Sequence, residues 1–563
     1  MKRAATIGLL GLAAQLLYPI LLMGQDAKIA DLDPAKAATP DWTYSSRHVP
    51  LDLKWRRHLE SNLRWMIARQ RGSASQLGVR VAIYADAGTN YQLNRNIVGA
   101  LEVSGIGCRI LDRSRINTRQ LAAVQAYVVP GGYSTFQRHA MGPVGMAAVR
   151  QYVDQGGRYL GICAGGYLAT KDVHWEGIHY PYALELFDGT AEGALDTIAA
   201  WPGDAPVALK LTRAGKSRGL SKEAEAKFYY KGGPHFHGGT NVTVLATYSN
   251  GTAAIISRPF GKGEVVLNGI HFERPPPGAG QGDEVPPPSN ATGGLFRSLL
   301  QLKAQPPQSA PARVADDVIR WIEVTDLARE DRVNLERNLR WVLARSVNQR
   351  SSAKKPRVGL FVDAGAEHAS VVSIASLLAS QGVAIKPLLH TDVHEESLEQ
   401  LDTFIVPAGN HRILRDALGE SGQQAIEKFI KSGKQYIGIS TGAYLVAKTI
   451  RWQHRTWEYP LKYYPGMAEG PLMDFAIWPA SAQVRLQPSV VGAKRGLSKA
   501  LLADCRYHGG PRFVDGRGYQ VLAQYPNKSQ AIIAGKVGRG EVVLIGVDVT
   551  DQSEFLVPLL KTR

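Results

Sequence analysis

Cysteine is nearly absent: Cys108, Cys163 and Cys505 are the only three in 563 residues. Three thiols cannot build a disulfide framework, and none lies in a C-x-x-C pair, so a zinc ribbon and a thioredoxin-type redox site are excluded. The 58 glycines follow no three-residue period, which excludes collagen. Blocks of like charge are also missing, and so are zinc-finger and basic-zipper patterns. Past the amino terminus no stretch is long and apolar enough to span a bilayer. What is present is ordinary for a folded chain. Hydrophobic residues make up 44 % and charged residues 20 %, so a mainly disordered chain is ruled out.

The 66 Lys and Arg outnumber the 49 Asp and Glu, for a formal charge of +17. Scattered charge of this kind reads as a solvated basic surface, and no nucleic-acid partner is expected. The amino terminus is a different kind of segment. Lys2 and Arg3 precede a charge-free, Leu- and Ala-rich run from Ala4 to Met23. A basic region followed by an apolar one is the layout of a secretory signal, and about 20 apolar residues also suffice for an uncleaved anchor. Residues 1–25 are therefore expected to be a signal peptide or signal anchor. The protein is expected to be secreted or extracytoplasmic, touching a membrane only through that segment. Sequons at Asn241, Asn250, Asn290 and Asn527 would matter only in a eukaryotic secretory route.

Length alone suggests about three or four domains, but the body of the chain is one domain written twice. Asn62-Leu-Arg-Trp65 recurs as Asn338-Leu-Arg-Trp341, after which the offset settles at 277 residues. Asp86-Ala-Gly88 then matches Asp363-Ala-Gly365, and Trp201-Pro202 matches Trp478-Pro479. Arg218-Gly-Leu-Ser-Lys222 matches Arg495-Gly-Leu-Ser-Lys499, and Gly263-Glu-Val-Val-Leu267 matches Gly540-Glu-Val-Val-Leu544. The unit is far too long for a solenoid repeat, so a whole domain is duplicated. The first domain is placed at 45–304, a Pro-rich linker at 305–320 and the second domain at 321–563.

Each copy alternates strand and helix patterns. Leu53 to Gln70 has helical apolar spacing, and Val79 to Tyr84 is a β-branched run ending in a turn at Asp86-Ala-Gly88. Helix over 91–104, strand over 107–111 and strand over 126–129 follow, the last stopped by Pro130-Gly131-Gly132. A helix over 147–155 precedes a strand over 159–162 that runs into Cys163. This order predicts α/β domains with mainly parallel sheets flanked by helices, with chemistry beyond the carboxyl ends of the strands.

Gly161-Ile-Cys163-Ala-Gly165-Gly166 lies at such an end. A strand, a nucleophile-type residue between glycines, then a helix-forming run is the pattern of a nucleophile elbow. The sharp turn crowds the backbone, so the residues two before and two after must be small. A helix amino terminus favours thiolate, and its first N–H, from Ala164, faces a developing oxyanion, with Gly131 or Gly132 as second donor. The alternative is a buried structural cysteine beside a tight turn. Downstream, His271 and Glu273 follow the strand over 264–267, two apart and so expected on one side of an extended segment. A base and its orienting acid are what a cysteine nucleophile requires.

The duplication acts as a control. At the 277-residue offset Cys163 becomes Ser440, His271 becomes Asp548 and Glu273 becomes Thr550, while Tyr167, Glu192 and Gly165 persist as Tyr444, Glu469 and Gly442. The three positions change together inside an unchanged frame, as expected if the first copy carries a triad and the second has lost it. Gly438-Ile-Ser440-Thr-Gly442 fits the serine-hydrolase elbow, but Asp548 stands where its base should be, so Ser440 is expected to be inactive. His508 is the nearest other candidate, and no orienter for it is visible in the sequence.

Gly161-Ile-Cys-Ala-Gly-Gly-Tyr167, Pro130-Gly-Gly132, Tyr230-Lys-Gly-Gly-Pro-His235 and Gly269-Ile-His-Phe-Glu273 together resemble the biotin–protein ligase N-terminal domain family, within the class I glutamine amidotransferase-like superfamily. The resemblance covers about 45–275 and 325–550. It implies a flavodoxin-like fold, with Cys163 as nucleophile, His271 as base and Glu273 as its partner. Phe272 stands where the superfamily's His-Pro-Glu has Pro. Ligation is not implied, because neither Gly516-Arg-Gly518 nor Gly538-Arg-Gly540 continues into a biotinyl-adenylate loop.

Weaker candidates for a substrate cleft are Trp175, Tyr230 and His235. Trp175 and Tyr230 reappear as Trp452 and Tyr507, which favours packing. His174, Glu176, His179, His235 and His237 occur only in the first copy, in a spacing that matches no known ligand set, so no metal and no cofactor are expected. The sequence thus points to a cysteine-dependent, amidotransferase-like hydrolase acting on an amide or ester of a small-molecule or peptide-like substrate. The rival is a non-catalytic small-ligand-binding or scaffolding protein built from the same two domains.

Overall fold

The computed structural model describes residues 51–71, 78–182, 184–221, 227–274, 290–304, 327–348 and 356–560. The expected signal segment and the expected linker at 305–320 lie outside these residues. Among the described residues no helix is long and apolar enough to cross a membrane. The chain divides into two compact units, Met1–Val314 and Ala315–Arg563.

In the first unit the strands are β1 (Val79–Tyr84), β2 (Gly107–Leu111), β3 (Ala126–Val129), β4 (Arg158–Ile162), β5 (Thr170–Trp175), β6 (Ile178–Pro181) and β7 (Phe187–Gly193). They continue as β8 (Ala205–Ala208), β9 (Lys210–Leu211), β10 (Lys227–Tyr230), β11 (His235–His237), β12 (Thr243–Thr247), β13 (Ala253–Phe260) and β14 (Gly263–Asn268). The main sheet has twelve strands, ordered β2-β1-β3-β4-β14-β13-β11-β7-β5-β6, with β12 and β9 branching from β13. β2, β1, β3, β4 and β14 pair in parallel. From β14 the sheet continues through antiparallel pairs of β13, β11 and β7. The crossovers between parallel strands are the helices Tyr91–Val103 and Ser134–Asp154, as parallel pairing demands. β1, β3 and β4 are buried almost throughout, with helices covering their faces.

The expected elements fall where the sequence patterns place them, with one informative difference. The helix expected over 147–155 begins at Ser134 and is broken at Gly142, whose φ is +63°, just before Pro143. The kink interrupts the apolar periodicity, so only the second half reads as helical from the sequence. The second unit repeats the twelve-stranded order, its strands Val358–Phe361, Thr403–Val406, Gln435–Ile439 and Gly540–Ile545 standing where β1, β3, β4 and β14 stand in the first.

Candidate functional site

Cys163 ends β4 and caps the six-residue helix Ala164–Ala169, with φ +50° and ψ −105°. A non-glycine residue in that region is strained, and such strain persists only where the surroundings enforce it. Ser440 holds the same conformation, φ +49° and ψ −109°. The flanking glycines are sterically required. A Cβ on Gly161 would come 2.4 Å from the Gly165 carbonyl oxygen, and one on Gly165 would come 2.0 Å from that of Val129. The Tyr159 hydroxyl donates to the Gly165 carbonyl at 2.8 Å, which pins the turn from below. Cys163 N–H donates to the Asn268 carbonyl at 2.8 Å, tying the elbow to the end of β14.

That tie brings His271 in. Beyond Asn268 the chain leaves the sheet, and His271 N–H donates to the Tyr229 carbonyl at 3.0 Å. His271 and Glu273 meet across a turn rather than along an extended strand: Nδ1 lies 2.7 Å from Glu273 Oε1. Both side chains are buried. Glu273 is held further by Asn96, whose amide donates to its backbone carbonyl at 2.8 Å. Its second carboxylate oxygen is buried with no hydrogen-bond partner. The sulfur of Cys163 acts on the same imidazole and favours its charged form. With Nδ1 engaged by Glu273, Nε2 is the nitrogen left for sulfur. The thiol in addition points at the Lys231 carbonyl, 3.8 Å away.

Burial disfavours charge on His271, but the Glu273 carboxylate, the Cys163 sulfur and their hydrogen bonds outweigh it and raise its pKa from 6.5 to about 10. The ring is therefore an imidazolium at neutral pH. Burial pushes Cys108 well above the usual thiol range, and burial with help from Asp504 pushes Cys505 up to about 12.

Gly131 sits against the imidazole: a Cβ there would come 2.4 Å from His271 Cε1. Its counterpart at the 277-residue offset is Ala408, as Asp548 is the counterpart of His271, so the methyl group appears only where the imidazole is gone. Gly132 has φ +153° and packs on the Gly88 carbonyl, an arrangement repeated by Gly409 on Gly365. Gly132 thus belongs to the scaffold and Gly131 to the site. Ala164 N–H lies in the first helical turn, where amides have no partner within the helix.

Of the weaker candidates, Tyr230 is fully buried, its hydroxyl accepting from Leu195 N–H at 2.7 Å and donating to the Gly233 carbonyl at 2.9 Å. Tyr507 contacts Leu472 and Gly510 in the same way. Trp175 packs edge-on against Tyr167 and Trp201, as Trp452 does against Tyr444 and Trp478. Both residues therefore pack the frame in each copy. His235 stands on β11, next to Glu192 and His237.

In the second unit Asp548 bonds Arg506 at 3.2 Å and accepts from the Thr550 hydroxyl at 2.8 Å. Asp548 and Thr550 thus remain bonded to each other, with no imidazole at the base position. His508 does have an orienter that the sequence hides: its Nε2 donates to the Pro479 carbonyl at 3.1 Å, and the ring stacks on Trp478. Ligand atoms of His508, Asp548 and Glu367 lie within 4.8 Å of one another. Burial and then the Asp548 charge raise the pKa of Glu367, and burial raises that of Asp548. Glu367, which replaces Asn90, is a site residue that sequence reasoning missed; the non-conservative exchange at a shared turn was the available signal.

The sheet order, the elbow and the duplicated layout define two tandem α/β domains, each with a parallel sheet core flanked by helices and a strand–elbow–helix turn at its carboxyl edge. The family model described as "Biotin-protein ligase, N terminal" matches residues 84–287 and 360–561, more than half of the chain, and the chain belongs to that family. An uncharacterized protein of Chlamydia muridarum is 30 % identical over 224 residues, 34 % of this chain and 80 % of that one. A biotin–protein ligase of Schizosaccharomyces pombe is 29 % identical over 179 residues, 29 % of this chain and only 28 % of the ligase's own length. A solved glutamine amidotransferase is 22 % identical, with a TM-score of 0.27, covering 34 % of this chain and 90 % of that one.

Proposed function

We propose that the first domain is a cysteine-dependent hydrolase of the amidotransferase type, acting on the carbonyl of an amide or ester. The observation that carries this reading is the imidazole of His271, bonded to buried Glu273 and raised in pKa by that carboxylate and by the sulfur at the elbow. The sulfur attacks the carbonyl carbon, and its proton resides on His271, which Glu273 keeps charged and oriented. The developing oxyanion is received by Ala164 N–H and by the backbone at Gly131-Gly132. His271 then gives its proton to the departing amine or alcohol, which leaves a thioester on Cys163. Water, deprotonated by the now neutral imidazole, releases the acid and restores the thiol. The second domain, with Ser440 and Asp548 at the matching positions, has no imidazole there to run this cycle and acts as a structural or substrate-binding partner. The first 25 residues carry the chain out of the cytoplasm in this reading.

The test is chemical labelling of the native full-length chain with iodoacetamide near neutral pH, read by peptide mass spectrometry. Fast modification of Cys163 over Cys108 and Cys505, lost in His271→Ala, is expected. Uniformly slow modification of all three would favour the non-catalytic ligand-binding reading instead.

A further inference from the structure

The histidines that occur only in the first copy are scattered in sequence, yet strand register collects them. His235 on β11 pairs directly with Glu192 on β7. Glu192 pairs on its other side with His174 on β5, and His174 pairs with His179 on β6. Directly opposed residues share a face of the sheet, so the four form one row across four strands. His237, two residues beyond His235, lies on the same face. The opposite face carries Val173, Ala191 and Phe236, all buried in the core.

Within this row two imidazoles converge on one carboxylate oxygen. Glu192 Oε2 lies 3.5 Å from His235 Nε2 and 3.2 Å from His237 Nε2, and the two rings stack with centroids 5.3 Å apart. Ligands on a tetrahedral ion with bonds of about 2.0–2.1 Å stand about 3.3–3.4 Å apart; the two separations from Glu192 Oε2 are close to this, and all three ligand atoms lie within 4.8 Å of one another. Glu192 and His237 are about half exposed, so an ion has an entry path and an open position for water.

The second domain shows what the same place looks like when it is purely structural. Glu469 takes the position of Glu192, while Arg451 and Arg512 take those of His174 and His235. Both arginines bond the carboxylate, at 3.0 and 2.8 Å, and Val514 replaces His237. The first domain keeps the carboxylate, removes both permanent cations and supplies imidazoles in their stead.

From this geometry we infer that Glu192, His235 and His237 form a binding site for a divalent transition-metal ion of the zinc type, two nitrogens and one oxygen, on the solvent face of the first sheet. The inference stands independently of the reaction assigned to Cys163.

The probe is zinc itself, titrated by calorimetry into chelator-treated full-length protein whose Cys163 has been blocked with iodoacetamide. One zinc ion per chain is expected. His235→Arg and His237→Val each install the residue the second domain already accommodates, and each should weaken binding by more than about tenfold while circular dichroism stays unchanged. Cobalt loading should give visible d–d absorption without a thiolate charge-transfer band. Zinc binding that is absent, that is equal in wild type and both variants, or that is lost instead in Asp548→Asn or His271→Ala would overturn the assignment.

Discussion

His271 Nδ1 lies 2.7 Å from Oε1 of Glu273, a carboxylate buried two residues downstream and with no hydrogen-bond partner on its other oxygen. The charges of these two groups therefore depend on each other. Glu273→Gln should leave an imidazole that no longer holds its proton, lowering turnover or Cys163 labelling by about 10²–10⁴-fold. Stopped-flow or mass-spectrometric rates check this, and a variant reacting at the wild-type rate would remove Glu273 from the site.

The same pair sets a pH dependence. The pKa of His271 is raised in the folded protein from 6.5 to about 10, so between those values the folded state holds the extra proton. Stability from this source is fully present below about pH 6.5 and is lost as the pH rises through about 10. Thermal melts of wild type and Glu273→Gln should differ most at or below neutrality, by about 3–5 kcal/mol if the buried pair behaves as such pairs do. The two curves should converge toward pH 10.

Gly131→Ala tests the packing behind the imidazole. The new methyl group would come 2.4 Å from His271 Cε1, so the ring must shift from its present position. The expected cost is about 1–3 kcal/mol in stability, with a far larger proportional loss of Cys163 reactivity. The reverse change, Ala408→Gly in the second domain, should leave that reactivity unaltered.

In the second domain the sign of the pH effect comes from carboxylates. The pKa of Glu367 is raised in the fold from 4.5 to about 7 by burial and by Asp548. Across that interval the unfolded chain loses its proton first, so stability is highest below about pH 4.5 and declines as the pH rises toward 7. Glu367→Gln should flatten this decline, as read from urea melts at pH 4.5 and 7.5. An unchanged pH slope would show that the two carboxylates are not coupled.

Ser440 has the elbow backbone but no base, so a fluorophosphonate that labels activated serines should leave it unmodified. Stoichiometric labelling at Ser440 would mean that His508 serves it after all.

Much of the first site is legible in the sequence because its chemistry is local. Small residues two before and two after Cys163 are demanded by one tight turn, and His271 and Glu273 are near neighbours in the chain. A turn, not the extended strand that their spacing predicts, brings that second pair together. Asn96 and the Tyr229 carbonyl left no comparable mark, because one reaches the site from the helix Tyr91–Val103 and the other from β10, both far from His271 in the chain.

What the amino-acid order determined unaided is the doubling of the domain, the strand–helix rhythm and the identity of the elbow, since all three follow from short-range spacing and from comparison of the chain with itself. The tertiary structure alone decided which groups face one another across strands. Register places His235 and His174 on either side of Glu192, and their second-domain counterparts Arg512 and Arg451 on either side of Glu469. Pairing in a sheet joins segments far apart in the chain, so spacing along the chain does not by itself show which residues meet.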